Sequence, residues 1–292
     1  MGVRTQIARE ISYAHSARTR GGRAVIRVLE NATGRLRLIR RAKGYEDDVA
    51  SGHDFWQVMV ARYGLTPEVI GGSLDDIPRE GPLVLVANHP YGILDGLIMG
   101  HILSRARGDF RILAHRIFRK ARELEEVVLP ISFDDTKEAV ALNIETRKSA
   151  RGYLAAGGAI GVFPGGTVST AQTPFGQPLD PTWRSFTARM IAKSQATIVP
   201  IYFEGANSRL FQIASHLHST LRMALLVKEF RSRVDEPVRV VIGQPVPPQR
   251  IDAHRGDTKA MMDFLRKETY ALSPKPLKSL DYGFEFEERH KA

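Results

Sequence analysis

The 292-residue chain contains no cysteine. Disulfide staples, thiolate nucleophiles and cysteine-based zinc sites are therefore excluded. Long apolar runs are also missing: the longest, residues 82–103, is interrupted by Asn88, His89, Pro90 and Asp95, so no spanning helix is expected. No Gly-x-Ser-x-Gly elbow occurs, which argues against a serine hydrolase. His216 and His218 are two apart, and His101 and His115 are scattered; none pairs at helical spacing with a nearby acid, so no metal site is expected. The N-terminus lacks the apolar core of a signal peptide, although it is Arg-rich and acid-poor like a transit peptide. Gln6 stands where a myristoylation motif needs Ser or Thr.

Acidic residues are scarce at one end. Residues 1–45 carry eleven Arg or Lys but only two acids, Glu10 and Glu30, a balance of +9 within a chain of net charge +10. The remainder is close to neutral. A basic segment interleaved with apolar residues points to a polyanion: an anionic membrane surface, nucleic acid or an acidic protein. A solvated arginine-rich helix face is the plain alternative. Nucleic acid is disfavoured, because the charge is confined to one end and no aromatic-studded strand motif or zinc-finger spacing accompanies it.

Hydrophobic residues make up 43% of the chain and charged residues 25%, ordinary values for a globular protein of one large or two small domains. Residues 24–42 show roughly helical spacing, with Val25, Val28 and Leu29 able to share one face and Leu36 and Ile39 another, and with a break at Gly34. Residues 54–63 read as a second helix, capped by Asp54 and ended by Gly64. From residue 82 short β-rich runs (83–87, 110–114, 127–131, 159–163, 197–202, 238–242) alternate with helical stretches (94–106, 135–156, 182–194, 258–271). That alternation predicts an α/β layered domain with a largely parallel central sheet flanked by helices. The expected division is a basic amphipathic helical segment over 1–64, the α/β domain over 65–273 and a polar tail over 274–292.

Function in such sheets gathers at the carboxyl edge, where strands hand over to helices. There stands LVANHPYGILDGL, residues 85–97: a buried strand, then Asn88, His89, Pro90, Tyr91 and Gly92, then Asp95 at the start of the next helix. An imidazole with an unperturbed pKa of about 6.5 accepts and returns a proton at neutral pH. A carboxylate on its other nitrogen fixes the tautomer and stabilises the imidazolium. Pro90 and Gly92 make the necessary turn plausible. Such a dyad can activate a substrate hydroxyl directly. A structural histidine capping the helix is the bland alternative. A second block, Phe163, Pro164, Gly165, Gly166 and Thr167, follows a strand. Its glycines allow backbone N–H groups to approach a ligand, and they also suit an ordinary turn. In the third, Pro200 interrupts a strand-like run and so marks an edge, a strand end or a bulge.

Taken in order, these blocks over roughly residues 80–205 resemble the bacterial glycerolipid (lysophospholipid) acyltransferases, the group that includes the acyl-glycerophosphate acyltransferases. The resemblance implies the fold of that family and transfer of a fatty acyl group from a thioester, on acyl carrier protein or coenzyme A, to a lysolipid hydroxyl, with no acyl-enzyme intermediate. It implies His89 as general base and Asp95 as its orienter, and it places Phe163, Pro164, Gly166 and Thr167 on the substrate-contacting block. Asn88, Tyr91, Gly92, Gly165, Arg116 and Pro200 complete the candidate substrate-binding set, Tyr91 and Pro200 as candidates for lining the acyl channel. No cofactor is implied beyond the acyl donor as co-substrate.

The departures from that pattern are informative. Five residues separate His89 from Asp95 instead of the usual four. A haemolysin-like subgroup carries Asn-His-Pro-x-Gly-x-Leu-Asp-Gly, which this chain matches, and Gly92 is the residue suited to absorb the insertion. Gly165 and Val168 replace the usual Glu and Arg, and the arginine that the family usually carries between the His89 and Phe163 blocks is not evident near residues 131–135. Arginine is the natural bidentate phosphate ligand, so its loss disfavours lysophosphatidic acid. It favours a lysophospholipid with a masked phosphate or a lyso-ornithine-type lipid. Arg116, Arg119 or Lys120 could replace the charge, or form a solvated helix face. The N-terminal segment is then expected to dock on an anionic membrane, or on the acidic carrier, as a peripheral contact at the cytoplasmic face. A catalytically silent lipid-binding member of the same fold is the alternative function.

Overall fold

The structure, a computed structural model, describes residues 12–14, 17, 19–115, 122–132 and 136–286. Arg116, Arg119 and Lys120 lie outside the described residues. Thr19 accepts from the Gly22 N–H and opens the first helix, α1 (Arg20–Thr33). Gly34, at φ +145°, ends α1 and starts α2 (Arg35–Ala42), so the break falls at the glycine. A short α3 (Tyr45–Ala50) precedes α4 (Phe55–Arg62), which Asp54 caps by accepting from the Gln57 N–H. The outward face of α1 and α2 differs from the expected one: Ile26 and Leu38 turn inward, and Val25, Val28 and Leu36 are left exposed beside arginines.

Among the described residues seven strands follow: β1 (Thr66–Gly71), β2 (Leu83–Ala87), β3 (Arg111–His115), β4 (Val128–Ile131), β5 (Ala159–Val162), β6 (Thr197–Phe203) and β7 (Pro237–Ile242). They form one sheet in the order β1-β7-β6-β2-β5-β3-β4. Every neighbouring pair is parallel except β6 with β7. The helices between and after them are α5 (Ile93–Arg107), α6 (Arg122–Glu125), α7 (Lys137–Ala155), α8 (Ser185–Ile191), α9 (Arg209–Leu217), α10 (Ser219–Arg231), α11 (Pro248–Asp252) and α12 (Thr258–Ala271). The fold is thus an α/β layered one with a mostly parallel sheet.

Other features also differ from expectation: α3, α6, α9, α10 and α11 fall where no helix is read from the sequence. Strand β1 was not expected. Its sequence, TPEVIG, has a proline, a glutamate and a glycine and no clean alternation, because it is a largely exposed edge strand that only pairs with β7. Pro200 lies not on an edge but within β6, which has a neighbour on each side. The antiparallel ladder with β7 runs through Ile201 opposite Ile242, and the Pro200 carbonyl accepts from the Gly243 N–H at 2.9 Å. Its missing N–H therefore falls in the last pair of that ladder, where only the carbonyl bonds.

Strand β2 is buried along its whole length, and its side chains alternate between two apolar layers. Leu83, Leu85 and Ala87 join Ile98 and Met99 of α5 and Trp56 of α4. Val84 and Val86 join Leu154 of α7, Met190 of α8 and Leu265 of α12. Leu38, Ala42 and Tyr45 enter the first layer, and α1 and α2 pack along α10. The contact of α4 with α5 is tight: a Cβ added at Gly100 would stand 2.1 Å from the buried Trp56 ring. In an open helix Gly→Ala gains about 1 kcal/mol, but overpacking costs about 1–3 kcal/mol. Gly100→Ala is therefore expected to lower the unfolding free energy by up to a net ~2 kcal/mol, read as a lower urea midpoint with unchanged m-value; a stabilised variant would contradict this packing.

Candidate active site

The carboxyl ends of the three adjacent strands β6, β2 and β5 converge, and each supplies a residue. Asn88, the first residue after β2, is buried and bridges to β6: its Nδ2 donates to the Phe203 carbonyl at 3.0 Å, and its Oδ1 accepts from the Phe203 N–H at 2.7 Å. This amide clip fixes the chain direction where the strand stops. Phe163, the first residue after β5, stacks on the His89 ring with centroids 4.4 Å apart and planes 27° apart. The aromatic face covers one side of the imidazole and restricts its rotation.

The turn from His89 into α5 is held by one carboxylate. Asp95 is fully buried, and its Oδ2 accepts from the N–H groups of Tyr91 (2.8 Å) and Gly92 (2.9 Å). Two donors at the helix start are thereby satisfied. Gly92 takes φ +95° and ψ −120°, a region open to glycine, and so accommodates the fifth residue between His89 and Asp95. The same Oδ2 lies 2.9 Å from Nδ1 of His89. The ring N–H is not aimed squarely along that line, and Asp95 Oδ1 has no partner among the described residues. The contact is thus an electrostatic pairing, of the kind that tightens when substrate binds. Burial pushes the Asp95 carboxyl above the usual carboxylate range, while His89 and the two N–H groups oppose the rise. The histidine side chain is 18% exposed. Its Nε2, on the opposite ring edge, has no hydrogen-bond partner among the described residues.

The glycine block runs beside this pair. Gly166, at φ +69°, donates to the Phe163 carbonyl at 3.1 Å and closes a tight turn, and the Pro164 carbonyl accepts from Arg184 N–H at 2.9 Å. The loop is tied to the histidine itself, because the Ser169 N–H donates to the His89 carbonyl at 2.8 Å. Tyr91 is buried: its hydroxyl donates to the Glu204 carbonyl at 2.6 Å, and the Arg233 guanidinium lies 4.6 Å from its ring centre. Burial pushes that hydroxyl up to about 12, so it stays a donor. Pro200 is three residues before Phe203, inside the sheet and opposite Val86. Asn88, His89, Tyr91, Gly92, Asp95, Phe163, Pro164, Gly165, Gly166 and Thr167 are therefore brought together, while Pro200 stands below the edge.

Two residues of this site escape a reading of the sequence. Asp180 is fully buried in the loop before α8. Its Oδ1 accepts from the His89 N–H (3.1 Å) and from the Ser169 hydroxyl, and its Oδ2 accepts from the Trp183 indole at 2.9 Å. It also sets the loop's approach: a Cβ at Gly165 would stand 3.3 Å from its Oδ2. Arg222, on α10, is buried and grips the loop from behind. It donates to Thr167 Oγ1 (3.0 Å), the Val168 carbonyl (2.9 Å), Thr170 Oγ1 (2.7 Å) and Ser215 Oγ (3.1 Å). Burial pushes its guanidinium down to about 9, which leaves it charged at neutral pH. Neither residue carries a periodic or motif signal. Both are recognisable only by what the fold sets against them.

The arrangement is a histidine, a buried carboxylate against its Nδ1 and a glycine-containing loop at one sheet edge. Among the described residues no cluster of His, Cys, Asp or Glu suits a metal ion, and no helix is long and apolar enough to cross a membrane. Two curated relatives are lyso-glycine lipid O-acyltransferases. That of Phocaeicola vulgatus is 26% identical over 208 residues, covering 69% of this chain and 71% of the relative. That of Bacteroides thetaiotaomicron is 26% identical over 208 residues, covering 69% and 73%. The crystal structure of the 1-acyl-sn-glycerophosphate (LPA) acyltransferase PlsC from Thermotoga maritima aligns over 91% of this chain and 87% of that one, at 16% identity and a TM-score of 0.47. Residues 36–283 match the family model Acyltransf_2, described as acyltransferase, and the chain thus belongs to that acyltransferase family.

Proposed function

We propose that the enzyme transfers a fatty acyl group from a thioester, acyl carrier protein or acyl-coenzyme A, to the hydroxyl of a lysolipid. The observation that carries this reading is the 2.9 Å approach of His89 Nδ1 to the buried Asp95, with the opposite ring nitrogen left for substrate. The acceptor hydroxyl gives its proton to Nε2 as its oxygen bonds to the thioester carbonyl carbon. The carbonyl electron pair moves to oxygen. On collapse the C–S bond breaks, the ester is released and the thiolate takes the proton from the imidazolium. Asp95 holds the ring and offsets its transient charge. The relatives act on a lyso-glycine lipid by name, which supports a lysolipid of amino-acid type as acceptor.

The basic N-terminal helices supply the docking surface. Val25 (48%), Val28 (66%) and Leu36 (52%) are exposed among the exposed Arg20, Arg23, Arg27, Arg37 and Arg40. Apolar side chains that insert shallowly among cations fit an anionic bilayer surface, each basic residue contributing about 1 kcal/mol. The enzyme then works as a peripheral protein on the membrane that holds its acceptor. Removing residues 1–45 is a poor test of this, because Leu38, Ala42 and Tyr45 belong to the core.

Three outcomes are expected. His89→Ala should lower acyl transfer by about 10²–10⁴-fold with each donor, measured with labelled acyl carrier protein and acyl-coenzyme A against lyso-ornithine lipid, lysophosphatidylethanolamine, lysophosphatidylglycerol and lysophosphatidic acid. Equal rates for both proteins would remove the histidine from the mechanism. Asp95→Asn should also lose activity yet keep or gain thermal stability at neutral pH. A carboxyl whose folded-state pKa is raised favours folding below the usual carboxylate range, and that contribution is lost as pH rises through the raised value. The variant's advantage should therefore shrink on acidification, and a variant that melts lower at pH 7 than at pH 4 relative to wild type would refute this. The pair Arg23→Glu and Val28→Glu should weaken sedimentation with anionic vesicles at low salt about tenfold or more; unchanged sedimentation would place the docking surface elsewhere.

A further inference from the structure

Arg222 is a buried cation with no carboxylate partner among the described residues. All four of its Nη contacts are to neutral oxygens, three hydroxyls and one carbonyl. The ring faces of Phe211 and Phe286, 4.9 and 4.2 Å from its central carbon, close over it. A charge so enclosed is costly unless its field is used. The nearby carboxylates are committed elsewhere, Asp95 to His89 and the α5 start, Asp180 to Trp183, Ser169 and the His89 N–H.

Hydrogen-bond direction shows where that field leads. A guanidinium only donates, so each of the three hydroxyls accepts from it and keeps its own proton to give. Thr170 spends that proton on the Val168 carbonyl at 3.0 Å, and Ser215 on the Phe211 carbonyl at 2.7 Å. The Thr167 hydroxyl has no acceptor among the described residues. Thr170 and Ser215 are buried, whereas Thr167 is only partly so, on the loop that Ser169 ties to the His89 carbonyl. A donor polarised by a cation behind it thus lies on a partly exposed residue, two positions from the Ser169 bond to the His89 carbonyl, and such charge-assisted donors select anionic oxygen.

We propose that Arg222 is a positioning residue of the acceptor subsite: through Thr167 it presents a hydroxyl proton to an anionic oxygen of the acceptor head group, a carboxylate or a phosphate. The inference rests on the acyl-transfer reading above. Arg222 does not touch the acceptor. It holds the loop and strengthens the donor.

The test uses two pairs of acceptors that differ in one charged group: an N-(3-hydroxyacyl)glycine against its methyl ester, and lysophosphatidic acid against monoacylglycerol. Wild type should prefer the charged member of one pair in kcat/KM, which identifies the anion. Thr167→Val and Arg222→Gln should each reduce that preference about tenfold or more, mainly through KM of the charged acceptor. Thr167→Ser should retain it, and the double variant should be no worse than the poorer single one. No preference in wild type, or equal losses on charged and neutral acceptors in Thr167→Val, would overturn the proposal. Calorimetric binding of the same four lipids to His89→Ala protein, with and without Thr167→Val, reads the charge preference without turnover. If wild type transfers no acyl group to any acceptor, the acyl-transfer reading fails, while the binding data still decide the role of Thr167 and Arg222.

Discussion

The site depends on a carboxylate that is wholly out of water. Asp95 spends one oxygen on two backbone N–H groups and the edge of an imidazole. Burying an ionised carboxyl is costly unless such partners are supplied. The partners come from the turn itself, so the cost of burial and the shape of the turn are one constraint. The conformation that satisfies Asp95 is also the one that directs His89 to the sheet edge. Capping the turn and pairing with the imidazole are therefore not rivals here: the same oxygen does both.

Around that turn the structure adds rigidity from three directions. The Asn88 amide locks β2 to β6, Phe163 covers one face of the imidazole, and Asp180 holds the backbone at His89 from below. An imidazole so constrained has little rotational freedom left to lose, which is the preorganisation that the proposed proton transfer needs. The parallel strands bring these residues together, because their carboxyl ends lie side by side at one edge. The N-terminal helices, basic and partly apolar outside, are anchored along α10, the helix that carries Arg222. The basic N-terminal helices and the loop gripped by Arg222 thus share one mechanical support.

Much of this was legible in the residues alone. Strands β2 to β7 and most of the helices follow from apolar periodicity and from Gly, Pro and Asp at their ends. The His89 and Asp95 pair and the Phe163 to Thr167 block are readable because each lies within a few residues of a strand end. Strand β1 was illegible, since an exposed edge strand needs no apolar alternation. Pro200 was ambiguous, since a proline reports a missing N–H but not which side of a strand lacks a partner.

The sequence by itself determined the elements, their order and the dyad, because these depend on interactions among residues near in the chain. Only the tertiary structure decided what faces the dyad. Asp180 reaches the His89 N–H across 91 residues, and Arg222 reaches Thr167 across 55. In sequence one is an acid just ahead of a helical stretch and the other a basic residue where no element is expected, each indistinguishable from a solvated charge. Folding removes the water from both and turns them toward one loop. Their roles come from burial and direction, which no local pattern of residues encodes.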